Sequence, residues 1–352
     1  MRAGSATYPV EIAPGLSDRL QLSLEALNLP RRRFIIASNT VWRLHGERFH
    51  AVTSEEPMLL PDGERFKHTG TVSRAYDVLV RAQADRASTI VAIGGGVLGD
   101  IAGFVAATYL RGIPYVQVPT TLLAQVDSAI GGKVGVNHPM GKNLIGAFHQ
   151  PAAVLIDPSL LTTLPRREFR AGLYEVVKYG LISSRPLFER IANDLDALFA
   201  RDSGALVPAI SDCCSIKAAV VESDERESGP RRVLNLGHTV GHALEAVTKY
   251  RRFRHGEAVA YGLLAAARLS VDRGVMPEAD RATLAAVIAK MGPLPAIADL
   301  EAAQVVEAAG RDKKVVAGTL HFVLPGPIGT TQIATDVTSA DLERALLAIG
   351  LR

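Results

Sequence analysis

Residues Ile90–Leu110 read "IVAIGGGVLGDIAGFVAATYL", an apolar run long enough to cross a bilayer by length alone. The glycine cluster and Asp100 inside it argue for a different reading. Glycine permits a tight turn, and a carboxylate in hydrocarbon is costly. The run therefore divides into a buried strand, a glycine turn and a helix. Gly94, Gly96 and Gly99 stand in GxGxxG spacing. A strand, turn and helix in that order present backbone N–H groups and a helix N-terminus to a pyrophosphate. The spacing alone is an unspecific signal. The acidic residue usual about 20 positions later is missing, and the turn follows a later strand-like run instead of the first. A nucleotide site is expected, though not a standard Rossmann fingerprint.

Outward from this stretch, short β-branched runs alternate with helical ones: "RFIIAS", "VSRAYDVLVRAQAD", "STIVAI", "YVQV" and "AVLID". Such alternation indicates an α/β domain with a parallel sheet covered on both faces. After "IDPSLLTTLP" the periods become helical, so a nucleotide-binding domain over 1–160 and a mostly α-helical metal and substrate domain over 161–352 are expected. "GTLHFVLPGPIGTTQIATDV" reads as a return to strands before a last helix.

The 352 residues are 48% hydrophobic and 5% aromatic, with a formal net charge of +3. That is an ordinary globular composition, too weakly basic for nucleic acid but compatible with an anionic small substrate. The two cysteines, Cys213 and Cys214, are adjacent, which suits neither an ordinary bridge nor a zinc knuckle. With no apolar core near the N-terminus, a cytoplasmic protein that engages no membrane is expected.

Four motifs carry chemistry. In "NLGHTVGHALE", His238, His242 and Glu245 fall within roughly 60° around a helix, opposite Val240, Leu244 and Val247. The Glu that follows the first His in a HExxH metalloprotease is absent. In "GLYEVVKYG", Glu175 and Lys178 share a face of an otherwise apolar helix. One carboxylate there plus two imidazoles elsewhere would give a His2Glu set with open positions, as in a catalytic zinc site. In "RHGEAVAYG", His255 is the candidate third ligand and Glu257 its rival. Finally, "PTTLLAQVDSAIGGKVGVNHPMGKN" packs Asp127, Lys133, His138, Lys142 and Asn143 into a glycine-rich loop suited to phosphate or carboxylate.

Together with "PDGERFK", "GGGVLGDIAGFVAATYLRG", "RRVLNLGHTVGHALE" and "RDKKV", these segments resemble the 3-dehydroquinate synthase family, in family order from about residue 60 to residue 315. The resemblance implies a cytoplasmic homodimeric sugar-phosphate cyclase with NAD and one divalent metal per subunit, zinc or cobalt. Its substrate would be a sugar acid phosphate, 3-deoxy-D-arabino-heptulosonate 7-phosphate. The reaction oxidises one alcohol, eliminates phosphate, reduces the ketone again and closes the ring by an aldol step. By motif position, Glu175, His238 and His255 resemble the metal ligands. Lys133, Asn143, His242 and Lys313 correspond to phosphate contacts, and Arg111 to a residue reaching the partner subunit's site. Asp127, Lys178, Lys217, Arg231 and Asn235 match the set that holds hydroxyls and carboxylate, with Lys142 close by. On the NAD side the matching positions are Glu64, Lys67, Gly95, Gly96, Asp100, Thr120, Thr121 and Thr163, with Lys133 and Lys142 adjoining. Lys314 and Arg232 are the neighbours that could exchange roles with Lys313 and Arg231.

The chain departs from the family pattern at Ser38, where an acidic residue commonly meets the adenosine ribose, and at Val134 and Tyr174. Two other activities share this architecture. Sister cyclases act on neutral sugar phosphates and have less use for an Arg231/Asn235 pair. Metal-dependent polyol dehydrogenases would leave Lys133, Lys142 and Asn143 without a role.

Overall fold

The computed structural model describes residues 1–4, 6–310, 315, 316 and 319–352. Lys313 and Lys314 lie outside the described residues. The chain forms two compact units, Met1–Pro165 with Arg201–Arg226, and Arg166–Ala200 with Glu227–Arg352. A single cut after residue 160 is thus replaced by a chain that leaves the first unit and returns to it once.

The first unit is built on strands β1 (Val10–Ile12), β2 (Arg32–Ser38), β3 (Met58–Leu60), β4 (Ser88–Gly94), β5 (Tyr115–Pro119) and, later in the chain, Ala153–Ile156. All six are parallel, in the order β1, Ala153–Ile156, β5, β4, β2, β3. Phe34 and Ile36 of β2 belong to one core, and Ile35 and Ala37 to the other. A strand apolar on both faces is stable only between two covering layers, which is why it reads as an unbroken hydrophobic run. Helices α1 (Thr69–Arg81) and α2 (Gly96–Thr108) cover the first face. Leu16, Leu20, Leu24 and Phe49 cover the second. The sequence direction reverses between β2 and β4, so the crevice at their carboxyl ends is the expected ligand position of an open α/β sheet.

The glycine-rich segment after Asp127 is a β-hairpin, not the flexible loop its composition suggests. Strand β6 (Lys133–His138) pairs antiparallel with β7 (Gly141–Phe148). Val134 and Val136 enter the core beside α2. Gly135 is there for close approach, since a Cβ on it would lie 2.5 Å from the Ile145 carbonyl oxygen. Ala153–Ile156, which follows the hairpin, is β8.

Asp157, just beyond β8, accepts hydrogen bonds from the Gly15, Ser17 and Ser159 amides at 3.0, 2.9 and 2.9 Å and from the Ser17 hydroxyl. Burial pushes its carboxyl up, but these donors outweigh burial and hold it below the usual range. A depressed carboxyl stabilises the fold above its unfolded value, near pH 4, and that stabilisation is lost as pH falls through the folded value. Asp157→Asn is therefore expected to destabilise the fold by about 2 kcal/mol at pH 7, with the gap to wild type narrowing below about pH 4 in thermal melts. A gap independent of pH would show that the charge is not what matters.

The second unit holds helices α3 (Arg166–Ser183), α5 (His238–Val247) and α6 (His255–Asp272), the number α4 being kept for Ser203–Ser223 of the first unit. As the sequence indicates, strands return near the end, with Phe322–Pro325 antiparallel to Thr331–Ala334 before a helix over Ser339–Ala348. The run Ile90–Leu110 is strand, turn and helix. Among the described residues one helix, α4, is long and apolar enough to cross a membrane by length and composition. It is part of the first unit and carries the buried Lys217.

Candidate active site

In the first unit, the turn after β4 puts Gly95 at the N-cap of α2. Its glycines are required by neighbours: a Cβ on Gly96 would lie 2.6 Å from Ser128 Oγ, and one on Gly99 2.5 Å from Gln117 Oε1. Beside this turn the buried Thr120 hydroxyl and Ser128 Oγ have no hydrogen-bond partner among the described residues. Buried hydroxyls are normally satisfied, so this pair beside a helix N-terminus fits a polar, anionic ligand of nucleotide type. Thr121 instead caps the following turn, accepting from the Ala124 amide at 3.2 Å. Thr163 is held by His45 at 2.8 Å. The Ser38 hydroxyl accepts from the Val41 amide and so caps the next helix. Asp62, beyond β3, brings a carboxylate to Thr40 at 2.8 Å.

Lys67 is buried in this unit. Its ammonium donates to Asp100 Oδ2 at 2.5 Å and to Asn143 Oδ1 at 2.6 Å. Burial pushes the Asp100 carboxyl up, with Lys67 opposing the shift. Asp127 lies in a short π-helical turn, Ala124–Ser128, and pairs with Lys217 of α4 at 2.7 Å. On the hairpin, Lys142 and Asn143 lie near the turn, while Lys133 pairs with Phe148 at the far end. Four residue steps separate Lys133 from Asn137, on the order of 13 Å along a strand. The Lys133 backbone thus sits at the opposite end of the hairpin from Lys142 and Asn143, and its long side chain is what can bring the ammonium toward them. Leu110, Arg111 and Gly112 all have positive φ, 50°, 69° and 124°, in the loop after α2. For the first two this is a strained conformation.

In the second unit, three separate helices bring Glu175, His238 and His255 to one point, with ligand atoms within 4.8 Å of one another. Glu175 Oε1 lies 3.7 Å from His238 Nε2 and 3.6 Å from His255 Nε2. Glu175 is fully buried, and among the described residues neither of its oxygens has a hydrogen-bond donor, although Lys178 ion-pairs with Oε2. A buried carboxylate facing two imidazole nitrogens, with lone pairs unused, is the donor chemistry of a divalent transition metal, and these residues fit one. The far nitrogens are committed. His238 Nδ1 lies 3.2 Å from the Leu236 carbonyl oxygen and His255 Nδ1 3.4 Å from Glu245 Oε2. Both contacts favour Nδ1–H and leave Nε2 as the ligand atom.

This geometry decides two questions that spacing leaves open. His242 and Glu245 form a second possible set with His255. The first set is the more buried and contains a carboxylate oxygen, Glu175 Oε1, with no hydrogen-bond donor among the described residues, so it is the better metal site. Glu257 is removed from contention because Arg167 holds it bidentately at 2.7 Å to each oxygen, and it accepts from the Arg254 amide at 2.9 Å. It fixes the start of α6 and so aims His255. His242 stays beside the cluster, its ring 5.4 Å from that of His238. Arg231 is buried, and Asn235 donates to Glu227 at 2.5 Å.

Sequence reading passes over three of these residues and leaves a fourth without a partner. Glu227 has no motif signal of its own. Ser128 and Asn137 lie inside a stretch singled out for its charges. Glu245 is noted on the polar stripe without a partner, and only the return of α6 supplies one.

The chain is similar to known proteins along most of its length. The family described as 3-dehydroquinate synthase N-terminal matches residues 57–171, and the one described as 3-dehydroquinate synthase C-terminal matches 172–315. A 3-dehydroquinate synthase of Nostoc punctiforme is 46% identical, covering 97% of this chain and 96% of the relative. Among solved structures, 2-epi-5-epi-valiolone synthase from Streptomyces hygroscopicus, with NAD+ and Zn2+ bound, superposes with a TM-score of 0.89 at 28% identity, covering 99% and 98% of the two chains. A 2-deoxy-scyllo-inosose synthase complexed with carbaglucose-6-phosphate, NAD+ and Co2+ gives 0.85 at 25% identity, covering 96% and 95%.

Proposed function

The chain belongs to the 3-dehydroquinate synthase family and carries out that family's conversion of 3-deoxy-D-arabino-heptulosonate 7-phosphate to 3-dehydroquinate and phosphate; we propose that it does so with NAD and one divalent metal ion, zinc or cobalt. The observation that carries the metal reading is the buried Glu175 carboxylate, whose Oε2 is ion-paired with Lys178 and whose Oε1, with no hydrogen-bond donor among the described residues, is flanked by the Nε2 atoms of His238 and His255. When bound, such an ion supplies Lewis-acid polarisation of a substrate oxygen, and NAD supplies reversible hydride transfer.

The remaining roles fall to side chains. In the first unit, Gly95, Gly96, Thr120 and Thr121 would line the cofactor's phosphates, with Glu64, Lys67, Lys142 and Thr163 around it. Asp100 would stay buried against Lys67. Asp127 and Lys217, already paired, would hold ring hydroxyls, while Lys133 and Asn143 would take the phosphate. In the second unit, Arg231 and Asn235 would bind the substrate carboxylate, Lys178 a hydroxyl beside Glu175, and His242 the phosphate. A guanidinium suits bidentate carboxylate recognition, which favours the acid substrate over the neutral sugars of sister cyclases. The reading includes a homodimer in which Arg111, in its strained loop, completes the partner's site, and a reducing cytoplasmic setting. Two buried free thiols support the latter; burial pushes Cys214 up to about 12.

The deciding assay is phosphate release from 3-deoxy-D-arabino-heptulosonate 7-phosphate with catalytic NAD, with and without chelator, while NADH absorbance is followed. Chelator-sensitive release with dehydroquinate as product and no net NADH is expected. Turnover of sedoheptulose 7-phosphate or glucose 6-phosphate instead would assign a sister cyclase, and stoichiometric NADH from a polyol a dehydrogenase.

A further inference from the structure

Asn137, on β6, is the hub of the hydrogen bonds that join the segment after β3 to the hairpin. Its amide N–H donates to the Lys67 carbonyl oxygen at 2.8 Å, and its backbone forms a parallel bridge with His68. Its side-chain Oδ1 accepts from the Asn143 amide at 2.8 Å, and its Nδ2 donates to Glu64 Oε1 at 2.8 Å. An amide whose oxygen faces an N–H and whose NH2 faces a carboxylate has only one satisfied orientation. One side chain thus holds Glu64 with one end and the backbone of Asn143 with the other.

The Asn143 end needs holding. Its φ is 52°, in the left-handed region that a non-glycine residue enters at a cost. The bond from its N–H to Asn137 offsets that cost. Its own Oδ1 is taken by Lys67 at 2.6 Å, so its NH2 is the end left to meet a ligand, the right polarity for a phosphate oxygen. Lys67 also binds Asp100, beside the glycine turn. Glu64, Asn137, Asn143, Lys67 and Asp100 form a continuous chain of hydrogen bonds within the first unit.

We propose that Asn137 is a positioning residue that couples the two ligands: cofactor held at Glu64 and Lys67 fixes Asn137, which fixes Asn143 in its phosphate-binding conformation. This rests on the proposed function, which places NAD at Glu64 and Lys67 and phosphate at Asn143. Ordering completed by the first ligand need not be repeated for the second, so binding is cooperative and reciprocal.

The test is calorimetric titration of the metal-loaded protein with NAD, with and without saturating inorganic phosphate, and the reverse titration. In wild type each ligand is expected to tighten the other by the same factor, about 5-fold or more. In Asn137→Ala both ligands still bind and the factor falls to about one. Asn137→Asp keeps the acceptor for Asn143 but sets two carboxylates against each other, so its factor also falls. Adding Glu64→Gln restores a donor to that pair with the roles exchanged, and the factor recovers even though NAD affinity itself changes. A merely structural Asn137 would show no such recovery, and if Asn137→Ala does not fold, the Asp and Asp/Gln pair decides. Equal coupling in wild type and variants, or none in wild type with both ligands bound, overturns the proposal alone. Failure of wild type to bind either ligand overturns it together with the functional reading beneath it.

Discussion

Purified His238→Ala is expected to retain no stoichiometric divalent metal after dialysis and to lose at least about 10³-fold in kcat, more than loss of a single electrostatic stabiliser commonly costs. The expectation follows from geometry: removing one of three ligands leaves Glu175 facing a lone imidazole, with Lys178 as its remaining charge partner. Glu245→Gln provides the graded comparison. It keeps the shape but weakens the contact to His255 Nδ1, and an outer-shell change of that kind typically costs about 10 to 100-fold in metal affinity. Normal metal content in His238→Ala would remove His238 from the ligand set. The same variant tests the dimer. Mixed with inactive Arg111→Ala, each mixed dimer would contain one intact site, so random exchange should restore about a quarter of wild-type activity. No recovery in verified mixed dimers would sink the shared site.

Much of the fold is legible because its signals are local. A strand buried on both faces must read as a continuous apolar run, as Phe34–Ala37 and Ile90–Ile93 do. A strand followed by Gly94–Gly96 and an apolar period leaves few alternatives to a turn and a helix. The site is legible to the extent that its groups sit in motifs. What stays hidden depends on distant packing. The helix over Ser203–Ser223 contains Pro208 and two cysteines, and nothing within it says that it rejoins the first unit. The hairpin hides for a related reason: its glycines suggest freedom until Gly135 meets the backbone of Ile145. The choice between His255 and Glu257 turns on Arg167 and Arg170, nearly ninety residues earlier in the chain. Glu245 becomes a partner of His255 only because α6 folds back along α5.

That fold-back leads to the second large effect. Gly256→Ala is expected to lower kcat at least about 100-fold and to weaken metal binding in parallel, although residue 256 carries no ligand atom. The added Cβ would lie 1.9 Å from the Ala171 carbonyl oxygen, 2.6 Å from its carbon and 2.9 Å from its Cα. No rotamer relieves a clash with backbone, so α6 must move away from α3. His255 is the next residue along and Glu175 is one turn beyond Ala171, so that movement opens the distance between two metal ligands. Displacements of about 1 Å at reacting groups commonly cost about 100-fold. The same contact repeats further along α6, where a Cβ on Gly262 would lie 1.8 Å from the Gly237 carbonyl oxygen, immediately before His238. The helix bearing one ligand is thus seated, through two glycines, on the backbones that carry the other two. Trimming the opposing side chain offers no relief, so Ala171→Gly should not rescue Gly256→Ala. Gly310→Ala is the control, since among the described residues nothing lies within 4 Å of its Cβ position. Cobalt titration followed by its visible absorption reads the site directly, apart from turnover. A Gly256→Ala protein with cobalt affinity and kcat within about threefold of wild type would mean that the close approach of α6 to α3 does not set the ligand geometry.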